Sequence, residues 1–279
     1  MAGRFCGGDV DAVHPAIITG MDPPLSEPTP WWLVPNVLAF DAPLVAVAWQ
    51  RFLAARFGVT VPWAATVALA AAVWGVYLAD RLLDARRGAL DAERHRLAAR
   101  YPLAFAVGFL LAGGVAVVAA ARLPVWYSWT GLDVGLGVVA YLALVHVAAG
   151  SVRRVPGAKE LLVGIGFAAG VAIPLGHGGE HFQDWLPSVV AFGGLCWLNC
   201  RLIDHWEAPA PAHPAWSDGV LGGALVVGSV ALPLAVGLAV AGAVLGLLAV
   251  HVGFRHRPRA ARVLADAVLL TPLAVWAIP

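Results

Sequence analysis

The chain has 279 residues, of which 60% are hydrophobic and 13% charged, against roughly 25% charged in an ordinary soluble domain. That excludes the pair of soluble domains its length alone would suggest. A net charge of +1 gives no sign of a nucleic-acid partner.

Residues 1–30 contain several Pro and Gly and no apolar core of signal-peptide length. They read as a disordered tail, not a cleaved signal. Residues 31–279 read as one transmembrane domain. A bilayer core needs about 20 apolar residues per helix, and the apolar runs predict nine spans. These are about 32–54, 62–82, 102–121, 128–149, 159–176, 185–204, 217–235, 237–254 and 262–278. The third, from Pro102 to Ala121, carries no charge. Gly219 to Phe254 is one long apolar stretch, split at Pro233 because a single helix of that length would overshoot the membrane. The ninth is short and carries Asp266. The expected fold is all-α and polytopic.

Fifteen of the eighteen Lys and Arg fall on the side that holds the tail and the links after spans 2, 4, 6 and 8. Only Arg51, Arg56 and Arg122 fall on the other. Positive residues stay inside, so the N-terminus is expected in the cytoplasm and the C-terminus outside. The expected setting is a bacterial inner (cytoplasmic) membrane. Trp31, Trp32, Trp63, Trp126, Trp129, Trp185 and Trp276 lie near span ends, as interface anchors do. Gly and Ala within the spans suit close helix packing.

Charges at the end of a span are costly and need partners. Span 2 closes with Tyr77-Leu-Ala-Asp80-Arg81-Leu-Leu-Asp84-Ala-Arg86-Arg87. Asp80 and Asp84 stack on one helical face, with Tyr77 a turn earlier. Their repulsion is relieved by a divalent cation or by Arg81, Arg86 and Arg87. Span 6 closes with Asn199-Cys-Arg201-Leu-Ile-Asp204-His205-Trp206-Glu207, where Asp204 and Glu207 share a face. Both acidic pairs are expected at the cytoplasmic ends. Together they describe a mouth able to hold Mg²⁺, which favours one or two carboxylates plus substrate phosphates. Arg94, His95, Arg96, Arg153, Arg154 and Lys159 lie on the same side and suit phosphate charge, although positive-inside topology alone also places Arg there. Lys159 is the sole lysine.

Other features are less specific. Asp41, with Asn36 about a turn earlier, either lines a cavity or caps a helix break at Pro43. His146 and His251 are lone span histidines, and His177, Glu180 and His181 sit in an outer loop. Cys196 and Cys200 are four apart with no second metal-ligand pair and read as buried thiols.

The pattern resembles the UbiA superfamily of intramembrane prenyltransferases, nine-helix proteins with aspartate-rich motifs ending helices 2 and 6. The resemblance runs from about Trp32 to the C-terminus. Leu78-Ala-Asp80-Arg81-Leu-Leu-Asp84 resembles the later part of the first motif, Asn-Asp-x-x-Asp-x-x-x-Asp. Lys159 to Pro174 resembles the basic, then glycine-rich, fifth helix, and Asn199–Glu207 stands at the second motif. The departures are Val76-Tyr77 in place of the opening Asn-Asp, and Asp204-x-x-Glu207 in place of Asp-x-x-x-Asp.

The resemblance implies a Mg²⁺-dependent transfer of an isoprenoid from a prenyl diphosphate to a hydrophobic acceptor, with membrane lipid around the domain. Asp80, Asp84, Asp204 and Glu207 would be the catalytic metal ligands. Tyr77, Arg81, Arg94, Arg96, Arg153, Lys159, Asn199 and Asp41 would line the substrate site. The thinned acidic set leaves a second reading, a non-catalytic UbiA-fold protein that binds an isoprenoid or lipid. A transporter would be expected to show inverted repeats, and none is visible. A CDP-alcohol phosphotransferase would need an Asp-Gly-x-x-Ala-Arg segment, which Asp84-Ala-Arg-Arg-Gly-Ala does not match.

Overall fold

The computed structural model describes residues 30–86, 93–147, 157–177, 181–207 and 213–278. The expected tail, apart from Pro30, lies outside the described residues, as do Arg87, Arg153, Arg154 and the side chains of His95 and His146. Every described element is helical. A 3-10 turn at Trp31–Leu33 leads into α1 (Val34–Val37) and α2 (Asp41–Arg56). Then come α3 (Trp63–Arg86), α4 (Glu93–Arg100), α5 (Pro102–Ala120), α6 (Val125–Val147) and α7 (Ala158–Ala172). The chain finishes with α8 (Phe182–Glu207), α9 (Ala215–Ser229), α10 (Leu234–Phe254), α11 (Pro258–Val268) and α12 (Thr271–Val275).

Five helices are long and apolar enough to cross a membrane: α3, α5, α6, α8 and α10. Counting the bent pair Trp31–Val37 and Asp41–Arg56 as one span makes six. The fold is therefore all-helical and compatible with an integral membrane protein. The remaining expected spans hold shorter helices. α7 and α9 have 15 residues each, and the last stretch is split into pieces of 11 and 5. At 1.5 Å per residue, 15 residues reach about 22 Å, short of a hydrocarbon core of about 30 Å.

The helices divide by what surrounds them. α8 and α10 are half buried and supply much of the core, whereas α5 and α6 bury little of themselves. The core gathers Trp49 and Phe52 of α2, Phe192, Leu195 and Leu198 of α8, and Leu247 of α10. The indole of Trp49 stacks on Phe192 at 4.7 Å, and its Nε1 donates to Leu269 O at 2.9 Å. α7 meets α8 through glycines: a Cβ on Gly164 would lie 2.5 Å from Gly193 O. Only a missing side chain permits that approach, and close backbone packing drives association where lipid offers no hydrophobic gain.

The two ends of the bundle differ chemically. Arg51 donates to Val61 O at 2.7 Å and lies 4.1 Å from the centre of the Trp63 ring. Arg56 donates to Trp276 O at 2.5 Å. These are local anchors of an interfacial kind. At the opposite end, where α3 and α8 finish and α4 and α11 begin, charges meet across elements.

Candidate functional site

The site starts from a break in the first apolar stretch. Trp31–Val37 and Asp41–Arg56 meet at 72°. Ala39 turns the chain at φ 59° and is fully buried. A left-handed conformation at an L-residue costs about 1–2 kcal/mol, so the break must be supported from outside. The support comes from α3. Arg81 Nη2 donates to Asn36 O at 2.7 Å, Arg81 Nη1 donates to Val37 O, and Trp74 Nε1 donates to Leu38 O at 3.0 Å. Trp74 and Arg81 are two turns apart and share a face. They give donors to Val37 O and Leu38 O, and a second donor to Asn36 O, which also accepts from the Ala39 N–H at 3.1 Å, in a setting where an unpaired carbonyl is costly. The break thus falls at Leu38–Phe40, before Asp41. Pro43 lies in the first turn of α2, where its missing N–H leaves no helical bond unmade.

The break aims polar side chains inward. Asn36 Nδ2 donates to Asp41 Oδ2 and, at 2.9 Å, to Asp266 Oδ2. Asn199 Nδ2 donates to Asp266 Oδ1 at 3.3 Å, and the Ala42 N–H donates to Asp41 Oδ1 at 2.9 Å. Two carboxylates therefore share one amide nitrogen, an arrangement that repels unless a proton or cation joins them. Asp41 is also placed in the first turn of α2, where the helix dipole favours negative charge. Beside this cluster is a cavity of about 30 Å³, lined by Tyr77, Phe167, Cys196, Asn199, Cys200 and Asp266 among others. That volume holds a water molecule or two and is far too small for an isoprenoid chain.

Asp80, Asp84 and Asp204 are half-buried. Asp80, Asp84 and Glu160 all act electrostatically on the Tyr141 hydroxyl, and Lys159 and Glu160 on the Cys200 thiol. Asp80 and Asp84 of α3 and Glu160 of α7 thus lie within electrostatic range of Tyr141 on α6. Tyr77 opens onto the cavity and meets Phe167 edge-on at 6.2 Å.

Two of the expected residues are engaged with each other. Glu207 accepts both terminal nitrogens of Arg94, at 2.8 Å each, and Arg262 Nη1 at 2.8 Å. That fork ties α4, α8 and α11 together. It occupies the carboxylate expected to bind metal and the guanidinium expected to bind phosphate. Arg81 is buried against the break, bonded to Asn36 O and Val37 O. Arg96 and Lys159 are exposed. Arg153 lies outside the described residues.

The donor chemistry of Asp80, Asp84 and Asp204 fits Mg²⁺, which takes oxygen ligands and accepts as few as one or two carboxylates. Glu207, held by two arginines, does not join that set in this arrangement. Among the described residues, three metal-donor side chains come within 4.8 Å of one another in one place, at His205, His213 and Asp218.

Sequence reasoning noted Asn36 beside Asp41, and Asn199 and Asp266 each apart, and did not bring the four together. A signal was available, because each is a polar side chain inside an apolar stretch. The buried pair of Arg201 and Asp218, 2.6 Å apart, was also missed.

No protein-family model matches the chain, and no curated protein or solved structure matches it.

Proposed function

We propose that the chain is a Mg²⁺-dependent intramembrane prenyltransferase of UbiA-like, nine-span architecture, transferring an isoprenoid from a prenyl diphosphate to a hydrophobic acceptor. The observation that carries this reading is the grouping of Asp80 and Asp84 of α3 with Glu160 at the start of α7 around Tyr141 in an apolar bundle; Asp204 lies near the end of α8. The short helices α7, α9 and α11–α12 stand for the remaining spans. The arginine-rich end faces the cytoplasm, with the C-terminus outside, in a bacterial inner membrane.

In this reading Asp80, Asp84 and Asp204 hold the metal, and the diphosphate completes its coordination. Bound Mg²⁺ supplies positive charge to the departing diphosphate. Lys159 and Arg96, both exposed at the same end, neutralise what remains. The isoprenoid lies among the apolar helices, where the Tyr77 ring can face developing positive charge. Because the cavity is small, Tyr77, Phe167 and the α7 face must part to admit the chain. Arg81 and Trp74 hold the first helix in place while that happens.

A second reading is favoured by one observation. Glu207 is bound by Arg94 and Arg262, which would suit a non-catalytic relative that binds an isoprenoid or lipid. The two separate in a turnover assay. Purified protein with geranylgeranyl diphosphate, Mg²⁺ and a panel of aromatic and lipid acceptors should release diphosphate, and Asp80→Asn and Asp204→Asn should each lower the rate at least a hundredfold, about 2.7 kcal/mol. Release that is absent in wild type while the prenyl diphosphate binds favours the second reading. Release unchanged in both variants ends the first.

A further inference from the structure

Where α8 ends and α9 begins, the chain gathers nitrogen and oxygen donors that the prenyl-transfer reading does not use. His205 Nδ1 lies 3.3 Å from His213 Nε2. His205 Nδ1 is 3.2 Å from Asp218 Oδ2, and His213 Nε2 is 3.4 Å from Asp218 Oδ1. His213 and Asp218 are almost wholly buried, and His205 is largely so. We propose that His205, His213 and Asp218 form a three-ligand site for a late transition-metal ion of the Zn²⁺ class.

The spacing is the first argument. Ligands about 2.0–2.1 Å from a tetrahedral ion stand about 3.3–3.4 Å from one another. Two of the separations, His205 Nδ1 to His213 Nε2 at 3.3 Å and His205 Nδ1 to Asp218 Oδ2 at 3.2 Å, lie close to that edge length, and one donor atom from each of the three residues lies within 4.8 Å of the others. As hydrogen bonds both would be long, since N–H···O bonds cluster near 2.9–3.0 Å.

The second argument is an unmet need. Asp218 Oδ2 is buried and has no hydrogen-bond partner, although Asp218 Oδ1 accepts from Arg201 Nε at 2.6 Å. The carboxylate therefore divides its work. One oxygen is fixed by a buried guanidinium and lies 3.4 Å from His213 Nε2, and the other faces His205 Nδ1. Ser217 Oγ accepts from Arg201 Nη2 and donates to Pro214 O at 2.6 Å. The guanidinium also lies 5.6 Å from the centre of the Trp197 ring. Gly157, at φ 78°, leaves it room, because a Cβ there would stand 2.8 Å from Arg201 Nη1. Outer partners of this kind orient a ligating carboxylate.

The third argument is donor type. Two imidazoles and one carboxylate select zinc-like ions over Mg²⁺, which prefers oxygen alone. Three protein ligands leave one tetrahedral corner for water or an oxygen anion. The ion would join the end of Phe182–Glu207 to the start of Ala215–Ser229. The proposal stands on its own, whether or not the chain handles a prenyl diphosphate.

The test uses full-length, tag-free protein in detergent, stripped with chelator and titrated with Zn²⁺ against a chromophoric competitor. One Zn²⁺ per chain is expected. His205→Gln and His213→Gln should each weaken it at least tenfold, and Asp204→Asn, in the neighbouring acidic mouth, should leave it unchanged. Equal affinity in wild type and the His205→Gln/His213→Gln double variant would overturn the proposal, as would a matching loss in Asp204→Asn. Should the histidine variants not fold, Co²⁺ bound to wild type gives the answer. Intense visible bands of a four-coordinate ion support the site, and the weak spectrum of a six-coordinate ion overturns it.

Discussion

The acidic ends of α3 and α8 look alike in sequence and behave differently in the structure. Each carries two carboxylates a turn apart, a nearby arginine and an aromatic ring. At the end of α3 the arginine turns inward. Arg81 is only 2% exposed and serves the backbone of the first helix. At the end of α8 a carboxylate is taken instead. Glu207 is forked by Arg94 and held by Arg262, while Arg201 is drawn to Asp218 on the next helix. A charged residue at a helix end is thus assigned its work by what lies across from it. The α3 end commits its arginine to the backbone of the first helix, and the α8 end spends half of its acidic pair on assembly.

The sharpest way to break this contrast is Arg81→Met. It would leave two carbonyls of the helix break without a side-chain donor, at about 1–3 kcal/mol each. Thermal unfolding in detergent should show a loss of about 2–6 kcal/mol. Arg81→Lys should recover only part of it, because an ammonium does not reproduce a planar fork. Stability retained alongside lost prenyl diphosphate binding would return Arg81 to the substrate and erase the difference between the two ends.

Glu207→Gln comes next. It removes a partly exposed charge from two arginines and should lower stability by about 1–2 kcal/mol, in a manner weakened by salt. Mg²⁺-dependent ligand binding should survive. If binding disappears while the unfolding curve stays put, Glu207 belongs to the metal after all.

Trp74→Phe is the smallest change. It keeps the ring that stacks on Phe40 at 5.1 Å and deletes the bond to Leu38 O. A loss of about 1 kcal/mol is expected. An effect as large as that of Arg81→Met would show that the break depends on the indole rather than the guanidinium.

The five long spans were legible because apolar length is a property of local sequence. The runs 62–82, 102–121 and 237–254 correspond to α3, α5 and α10. The break was not. It turns on Ala39, a residue with no preference for a positive φ, and on donors 36 to 45 residues away. Pro43 was the visible helix breaker, and it sits harmlessly in a first turn. The two acidic pairs were legible as residue types on two helix faces. The partners of Glu207 were not, because Arg94 and Arg262 lie 113 and 55 residues from it. His205, His213 and Asp218 were overlooked for another reason. His213 and Asp218 flank the start of an apolar stretch that was read only for its length.

The central claim is that the carboxylates at the end of α3 bind a diphosphate through Mg²⁺. The most direct measurement is equilibrium binding of labelled geranylgeranyl diphosphate to the detergent-purified protein, with and without Mg²⁺, for wild type and Asp80→Asn. The account predicts binding that requires Mg²⁺ and weakens at least tenfold in the variant, roughly 1.4 kcal/mol. Binding indifferent to Mg²⁺ and to Asp80 would contradict it.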